Sequence, residues 1–314
     1  MQLFNKSIFI GLASGILWAF DTILVDYNIS NINYLKYTII FSICIAFLHD
    51  FFSSIWLFLY IIISGKKNIL IQSFKKSDSY VICLAALSGG PIGMTCYILA
   101  IYHSNASIAA TISTIYPALG CLFAYIFLKI KTTITNFIGL LLVIITTAYI
   151  GLNLESFDQI SFLGFLFALG CAIGWGLEST ICSYALKNDL NYNIALFLRQ
   201  LTSSIIYLLI ITFFLKKELP NVIELILHNS LILKMAVIAI FGSLSYLFYY
   251  KAIGELGPIK AMGLNISYSA WAILLGPFLG YTLSPLLLVL SITIIIGALI
   301  TNLQPKEAII KWTL

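Results

Sequence analysis

Long runs of apolar residues, separated by short polar stretches, alternate along the whole chain. Each run is about long enough to cross a hydrocarbon core of ~30 Å at 1.5 Å per residue. The pattern therefore predicts an all-α integral membrane protein with ten transmembrane helices. The predicted segments are 7–27, 34–63, 79–102, 106–128, 134–152, 160–186, 192–215, 231–253, 258–281 and 285–303.

Composition excludes a soluble protein. The chain is 61% apolar and 9% charged, whereas a soluble domain carries about 25% charged residues. The net charge of +5 does not indicate nucleic acid, because the lysines collect in loops on one side of the predicted membrane. The six cysteines all lie in apolar segments and form no C-x-x-C pair, so neither a metal site nor a disulfide is predicted. No cofactor is expected.

The loop lysines predict the orientation, because cytoplasmic loops carry an excess of Lys and Arg. With the N-terminus inside, most lysines fall on the cytoplasmic side, and both termini are cytoplasmic. Residues 305–314 then form a cytoplasmic tail. The cytoplasmic set is Lys6, Lys66, Lys67, Lys75, Lys76, Lys129, Lys131, Lys187, Lys251, Lys260, Lys306 and Lys311, and the outer set is Lys36, Lys216, Lys217 and Lys234.

The chain repeats itself internally, which predicts two five-helix halves at 1–153 and 158–304. Five helices per half is an odd number, so the halves must enter the membrane in opposite directions. Inverted repeats are typical of secondary transporters, which bind the substrate near the midplane between the halves. The matched positions are Trp18 with Trp175, Asp21 with Glu178, Tyr97 with Tyr249, Ala109 with Ala261, and Tyr116 with Tyr268.

Two carboxylates lie deep inside apolar segments. Asp21 follows Trp18 by three positions, and Glu178 follows Trp175 by the same spacing. A charge at the centre of a membrane helix costs roughly 2.5–3.5 kcal/mol even on the lenient insertion scale, so such residues mark pathways. We expect the two acids and two tryptophans to bind a proton or a substrate at a central cavity. The alternative is a structural ion pair with Arg199 or another cation, or a cap on a broken helix.

Further ionisable residues lie within predicted segments, among them Arg199, His49 and Asp50. Arg199 is either the counter-charge of Glu178, a ligand for a substrate carboxylate or phosphate, or a side chain that snorkels towards the outer surface. His49 and Asp50 suggest a proton relay, because His titrates near neutral pH. Adjacent helix residues do not share a face, however, which favours a polar interfacial position for these two.

Glycine and proline interrupt two segments. The cluster of Gly89, Gly90, Pro91 and Gly93 weakens the helical backbone of the third. It predicts a hinge or gate that faces the substrate, or alternatively a close helix crossing. Pro117 is expected to kink the fourth helix.

Four tyrosines match across the halves and are candidates to line a cavity. They are Tyr97, Tyr116, Tyr249 and Tyr268. Aromatic rings beside two acids would suit a cationic or zwitterionic solute through cation–π attraction. Ordinary helix packing is the alternative.

The stretch Ala100–Gly151 resembles the EamA type of the drug/metabolite transporter superfamily. It carries alanines in the spacing A-x-x-x-x-x-A-x-x-A, then Tyr116-Pro117 and Leu128-Lys129. Family members usually have an acid where Lys129 stands. The second half resembles the family more loosely, with Ser269 at the position of the proline. Residues 48–50 and 89–97 resemble a branch labelled multidrug efflux.

This resemblance implies alternating access by rocking of the two halves in a bacterial cytoplasmic membrane. The resemblance does not identify the substrate. We expect a small solute such as an amino acid or nucleobase, with export and proton coupling, and a multidrug exporter of organic cations is the alternative. A membrane enzyme is disfavoured, because His49, His103 and His228 are dispersed and no nucleotide-binding loop is present. A passive channel on the same fold also remains open. The expected partners are the solute and the lipid bilayer, not nucleic acid, with the protein as a monomer or homodimer.

Overall fold

The structure is a computed structural model, and it describes residues 6–29, 32, 37–103, 109, 112–154, 161–188, 190–279 and 282–303. Those residues are mostly helical and include no β-strand. The predicted tail at 305–314 and Lys36 lie outside the described residues. The helices are α1 (Lys6–Ile29), α2 (Thr38–Ile63), α3 (Lys67–Ser73), α4 (Ser77–Leu87), α5 (Thr95–His103), α6 (Tyr116–Leu128), α7 (Ile134–Leu154), α8 (Phe162–Lys187), α9 (Tyr192–Phe214), α10 (Leu219–His228), α11 (Leu231–Leu256), α12 (Pro258–Asn265), α13 (Tyr268–Leu275) and α14 (Pro285–Ile300).

Six spans in the described residues are long and apolar enough to cross a membrane. They are α1, α2, the continuous stretch from α4 into α5, α8, α9 and α11. Shorter apolar helices, among them α6, α7 and α14, accompany them. The all-helical membrane class is therefore shown, while the count of ten crossings and the position of the termini stay predictions.

Several helix boundaries differ from the prediction. The loop between the seventh and eighth segments contains α10, whose Val222 and Ile226 are buried. The ninth segment divides at Ile266–Ser267 into α12 and α13. Lys67–Ser73 forms a short helix in a stretch predicted as loop. Short helices of this kind are stabilised by packing rather than by their own length, so the lengths of apolar runs do not reveal them.

Pro117 does not kink a helix, which corrects the prediction. It occupies the first turn of α6, which begins at Tyr116. A proline at that position removes no intrahelical hydrogen bond, because the first N–H groups of a helix have no partner there. The same logic applies at Gly257-Pro258, where the glycine has φ +83° and the proline starts α12.

The main contacts between helices occur in equivalent pairs. Each main contact of a helix in one predicted half with a helix in the other half has a counterpart in which the two halves have reversed roles. The first helix of each half packs against the third of the other, so α1 lies along α11 and α8 lies along α4 and α5. The first helix also packs on the fourth of the other half, as α1 does on α12 and α13 and α8 does on α6. The second helices α2 and α9 pack on each other, as do the last helices α7 and α14.

The crossing of α7 and α14 rests on two glycines. A Cβ added to Gly139 would lie 2.6 Å from the carbonyl oxygen of Gly297 and against the backbone of Thr301. A Cβ added to Gly297 would lie 3.1 Å from the carbonyl oxygen of Gly139. Small residues let helix backbones approach closely in membranes, where no hydrophobic force drives helices together.

We predict that Gly139→Ala destabilises the protein by about 1–3 kcal/mol, the usual cost of overpacking. The new methyl group meets backbone atoms, which cannot rotate away. Unfolding by sodium dodecyl sulfate in mixed micelles would measure the difference. Gly254→Ala in α11 is the control, because nothing lies within 4 Å of its added Cβ. Equal stability of the two variants would show that the crossing is not close.

Candidate functional site

Five ionisable side chains from four helices form one continuous chain of contacts in the protein interior. Each of the five residues is at most 5% exposed. In order along the chain of contacts they are Asp21 on α1, His49 and Asp50 on α2, Arg199 on α9, and Glu178 on α8. We call this set the ion chain.

Arg199 links the two acids nearest to it. Its Nε donates to Oε1 of Glu178 at 2.7 Å, and its Nη2 donates to Oε2 of the same carboxylate at 3.2 Å. Its Nη1 donates to Oδ2 of Asp50 at 3.1 Å and to Oε1 of Gln200 at 2.6 Å. Its Nη2 also reaches the hydroxyl of Tyr246 at 3.5 Å. Arg199 is therefore the buried counter-charge of Glu178, and the snorkelling alternative is wrong.

His49 links the remaining two acids. Its Nε2 lies 3.1 Å from Oδ1 of Asp21, and its Nδ1 lies 3.2 Å from Oδ1 of Asp50. The interfacial position favoured by the sequence is wrong for both His49 and Asp50, since both are buried in the ion chain. Adjacent residues do point in different directions, but here each direction leads to another member of the chain.

The ion chain carries an excess of negative charge. With all three carboxylates ionised against one guanidinium, two negative charges remain when His49 is neutral and one remains when it is protonated. Removing unpaired charges from water costs several kcal/mol each, even after the structure relaxes. The cluster is therefore built to take up positive charge.

A π-helical turn at Ser88–Met94 joins α4 to α5 and packs against the ion chain. A Cβ at Gly89 would collide with the carboxylate of Glu178, and one at Gly90 would collide with the hydroxyl of Ser203. Tyr207 of α9 donates to the carbonyl oxygen of Gly90 at 3.0 Å, so a side chain of a neighbouring helix is bonded to the backbone of the turn. Close packing at this turn is thus observed, and its role as a hinge stays a prediction.

Two further members of the turn, Pro91 and Gly93, are also buried. A Cβ on Gly93 would lie 3.0 Å from the Trp175 ring. The turn therefore packs against the first helix of the second half over most of its length. Short π-helical turns within α-helices often occur at functional sites.

Gly242 on α11 is a site residue that the sequence reasoning missed. A Cβ there would collide with Nε2 of His49 and lie 2.8 Å from Oδ1 of Asp21. The spacing that pairs Tyr97 with Tyr249 also pairs Gly90 with Gly242, so the repeat itself contains the signal. Each half therefore places a glycine of its third helix against the ion chain.

A small aromatic cavity lies beside one end of the ion chain. The rings of Trp18 and Trp175 meet edge to face with centroids 6.5 Å apart, and Tyr246 lies 5.2 Å from Trp18. Glu178 reaches this cavity, whereas Asp21 does not line it. The expectation that both acids flank one cavity is therefore wrong for Asp21. The lining residues are Trp18, Tyr116, Trp175, Glu178, Ser245, Tyr246, Tyr249, Asn265 and Tyr268.

Three of the four matched tyrosines line this cavity, and the fourth supports it. Tyr97 packs on Trp175 with ring centroids 5.2 Å apart. Tyr249 lines the cavity and donates to Ser179 at 3.1 Å. Tyr250, the next residue, donates to Oε1 of Glu178 at 3.1 Å and so helps to orient that carboxylate. Within the described ranges, no group of three or more His, Cys, Asp or Glu side chains is arranged to hold a metal ion.

Comparison with known proteins gives a family and a fold. The sequence matches the model of the EamA-like transporter family twice, at residues 5–152 and 162–303. Protein LicB of Haemophilus influenzae is 36% identical over 219 residues, which cover 69% of this chain and 73% of LicB. A solved crystal structure, described only as that of a protein, superposes with a TM-score of 0.66 over 95% of this chain and 96% of its own length, at 16% identity. At that identity the superposition shows the fold alone.

We predict that Arg199→Gln destabilises the protein strongly, by about 3–5 kcal/mol, because it leaves buried carboxylates unpaired. Glu178→Gln should cost less, because Arg199 keeps Asp50 as a partner. The double variant should recover part of the loss of Arg199→Gln. Unfolding in mixed micelles measures all three. Simple addition of the two single losses would contradict the direct pairing of these residues.

We predict that Gly242→Ala pushes His49 away from Asp21 and destabilises the protein by about 1–3 kcal/mol. Gly254→Ala is a matched control on the same helix, because its Cβ meets open space and alanine is favoured in helices. The same unfolding assay compares the two variants. If they behave alike, α11 does not pack against the ion chain as described.

Proposed function

Because the chain belongs to the EamA-like transporter family, we propose that it is a secondary active transporter that moves a small organic cation by alternating access. The observation that carries this proposal is the aromatic cavity with Glu178 in its wall. The chain is a multi-pass membrane protein of a transporter family. The substrate class, the mode of movement and the coupling are our proposals.

The arrangement of the helices supports alternating access. The helix pairs exchange when the predicted halves are swapped, as an inverted repeat would require. The family model also matches each half separately. In inverted-repeat transporters, each half can adopt the arrangement of the other half. A cavity between the halves can therefore open to either side of the membrane.

A cation suits the cavity better than an amino acid or a nucleobase. Aromatic faces attract cations through the ring quadrupole, and aromatic cages bind quaternary ammonium groups in this way. The ion chain adds at least one uncompensated negative charge next to the same wall. The solute therefore supplies the positive charge that the buried cluster lacks.

A substrate carboxylate, by contrast, finds no partner at Arg199. All five donor hydrogens of the guanidinium are engaged, by Glu178, Asp50, Gln200 and Tyr246. The guanidinium also lies 5.0 Å from the centroid of the Tyr246 ring. Arg199 therefore orients the site rather than serving as an anchor for an anion.

The size of the cavity favours a compact solute over bulky drugs. Its volume is about 30 Å³, roughly the room of one or two water molecules. A solute of the size of a tetramethylammonium ion enters only when the aromatic side chains part. Broad drug specificity would require a much larger rearrangement of Trp18, Trp175 and Tyr246.

Several expectations stay predictions. Export rather than import, proton coupling, a cytoplasmic-membrane location and the monomeric or dimeric state are in this group. Accumulation of the solute against its gradient would separate the transporter from a passive channel. The transporter family argues against the enzyme alternative.

The test is binding and transport of tetramethylammonium by the full-length protein in detergent and in proteoliposomes. tert-Butanol, a neutral molecule of similar shape, together with alanine and adenine, tests the preference for charge. We expect binding of tetramethylammonium alone, lost at least ten-fold in Glu178→Gln and in Trp175→Leu, since one loses the charge and the other the aromatic face. Accumulation is expected under an imposed proton gradient or membrane potential.

Glu224→Gln is the matched control, because Glu224 is an exposed carboxylate on α10 away from the cavity lining. It should bind as the wild type does. Binding of alanine or adenine instead of tetramethylammonium would overturn the assignment to cations. Equilibration of tetramethylammonium without accumulation would replace the transporter with a channel.

A further inference from the structure

Asp21, His49 and Asp50 form the part of the ion chain that does not line the aromatic cavity. We propose that His49, held between Asp21 and Asp50, binds the coupling proton, and that the contacts through Asp50 and Arg199 make this proton and the cationic solute displace one another. This inference rests on the proposed function for its solute, and it adds the proton site and the direction of the coupling.

The hydrogen-bond geometry of His49 favours a second proton on the ring. Both ring nitrogens face carboxylate oxygens, at 3.1 Å and 3.2 Å. A neutral imidazole carries a single N–H and would turn a lone pair towards one of the two carboxylates. Only the imidazolium donates to both. The site therefore has the form of a proton-binding site rather than that of a structural histidine.

Groups from α1, α2, α9 and α11 surround His49. Asp21 and the ring of Trp18 reach it from α1, with the ring centroids of Trp18 and His49 6.3 Å apart. Asp50 contacts it on α2, with Arg199 and Ser203 of α9 behind. Gly242 of α11 closes the remaining side.

Other charged or titratable groups lie further along the same network. Glu178 of α8 is reached through Arg199, and Tyr246 of α11 lies on the guanidinium. Tyr207 of α9 is engaged with the backbone of Gly90. The other helices that pack on α2 meet it through apolar side chains, which are Leu70 of α3, Ile98 of α5, and Val222 and Ile226 of α10.

The remaining N–H of a neutral His49 ring is expected to point at Asp21. In the described part of the chain, His49 is the hydrogen-bond partner of Asp21, whereas Asp50 keeps Arg199 and Ser203. Asp21 is 1% exposed, so without this donor it would be an unpaired buried charge. Loss of the proton therefore turns the lone pair of Nδ1 towards Asp50, whose partner Arg199 lies on a helix of the other half. The proton on His49 thus acts on a contact between the halves.

The ion chain transmits the presence of the solute to this proton. A cation at Glu178 partly neutralises that carboxylate, so Arg199 interacts more strongly with Asp50. Asp50 then stabilises the imidazolium of His49 less, and the added positive charge repels it. Solute binding therefore lowers the affinity for the proton, and by linkage the proton lowers the affinity for the solute to the same degree. Exchange of one for the other follows.

The first experiment adds tetramethylammonium to the purified full-length protein in weak buffer and follows proton release with a pH indicator. Wild type should release protons on binding, and its affinity for tetramethylammonium should rise with pH. His49→Gln should release at least ten-fold fewer protons and bind with little dependence on pH. His228→Gln is the matched control, since His228 is exposed on α10. Unchanged release in a His49→Gln variant that still binds overturns the proposal.

The second experiment does not depend on a variant at the site. The chain has three histidines, His49, His103 and His228, so the double variant H103Q/H228Q leaves His49 alone. Nitrogen-15 chemical shifts of its ring report directly whether both nitrogens carry protons. At neutral pH without solute we expect an imidazolium, converted towards the neutral ring by tetramethylammonium. A neutral ring before addition, or no change after it, overturns the proposal.

The outcomes separate this inference from the proposed function. If the wild type does not bind tetramethylammonium, the cation assignment fails, and the state of the His49 ring without solute still decides whether a proton site exists. If tetramethylammonium binds through Glu178 and Trp175 but releases no proton that depends on His49, the coupling inference fails alone.

Discussion

The pairing of one arginine with two acids in the interior is the interaction on which the rest of the structure depends. Arg199 holds Glu178 with two hydrogen bonds and Asp50 with a third, where water cannot replace a missing partner. A buried ion pair of this kind adds little net stability, but removal of one member is costly. The four helices that carry the ion chain must therefore meet with their charged residues at the same depth. This requirement specifies the register of α1, α2, α8 and α9 more strongly than their apolar surfaces can.

The need to bring backbones close to these charges explains the glycines of the third helix in each half. Gly89 and Gly90 lie against Glu178 and Ser203, and Gly242 lies against His49 and Asp21. Any side chain at these positions would separate the charged groups. The π-helical turn is a local consequence, because it adds a residue to the helix and presents two adjacent glycines to α8 and α9. Tyr207 of α9 then donates to the backbone of the turn at Gly90.

Much of this arrangement follows from the sequence, for reasons that particular residues illustrate. Long apolar runs and the Trp-x-x-acid repeat point to a membrane protein with acids at matched depths, because charge in hydrocarbon is rare and costly. The partners of those acids do not follow from one segment at a time. His49 and Asp50 look interfacial until α1 and α9 are placed beside α2, and Pro117 looks like a kink until the helix start is known. Gly242 can be predicted as a site residue only when the glycines of the two halves are aligned in the same way as the aromatic and acidic residues.

The two halves supply the same architecture with different chemistry. In each, an acid on the first helix is bonded to a base on the second: Asp21 to His49 in one half and Glu178 to Arg199 in the other. Asp50 joins the two pairs. The guanidinium stays charged under all conditions that a cell offers, whereas an imidazolium can give up its second proton. The half with Arg199 therefore holds a permanent charge beside the aromatic cavity, and the half with His49 holds a charge that can leave. A symmetric scaffold with one fixed and one removable positive charge has the asymmetry that exchange of a proton for a cation requires.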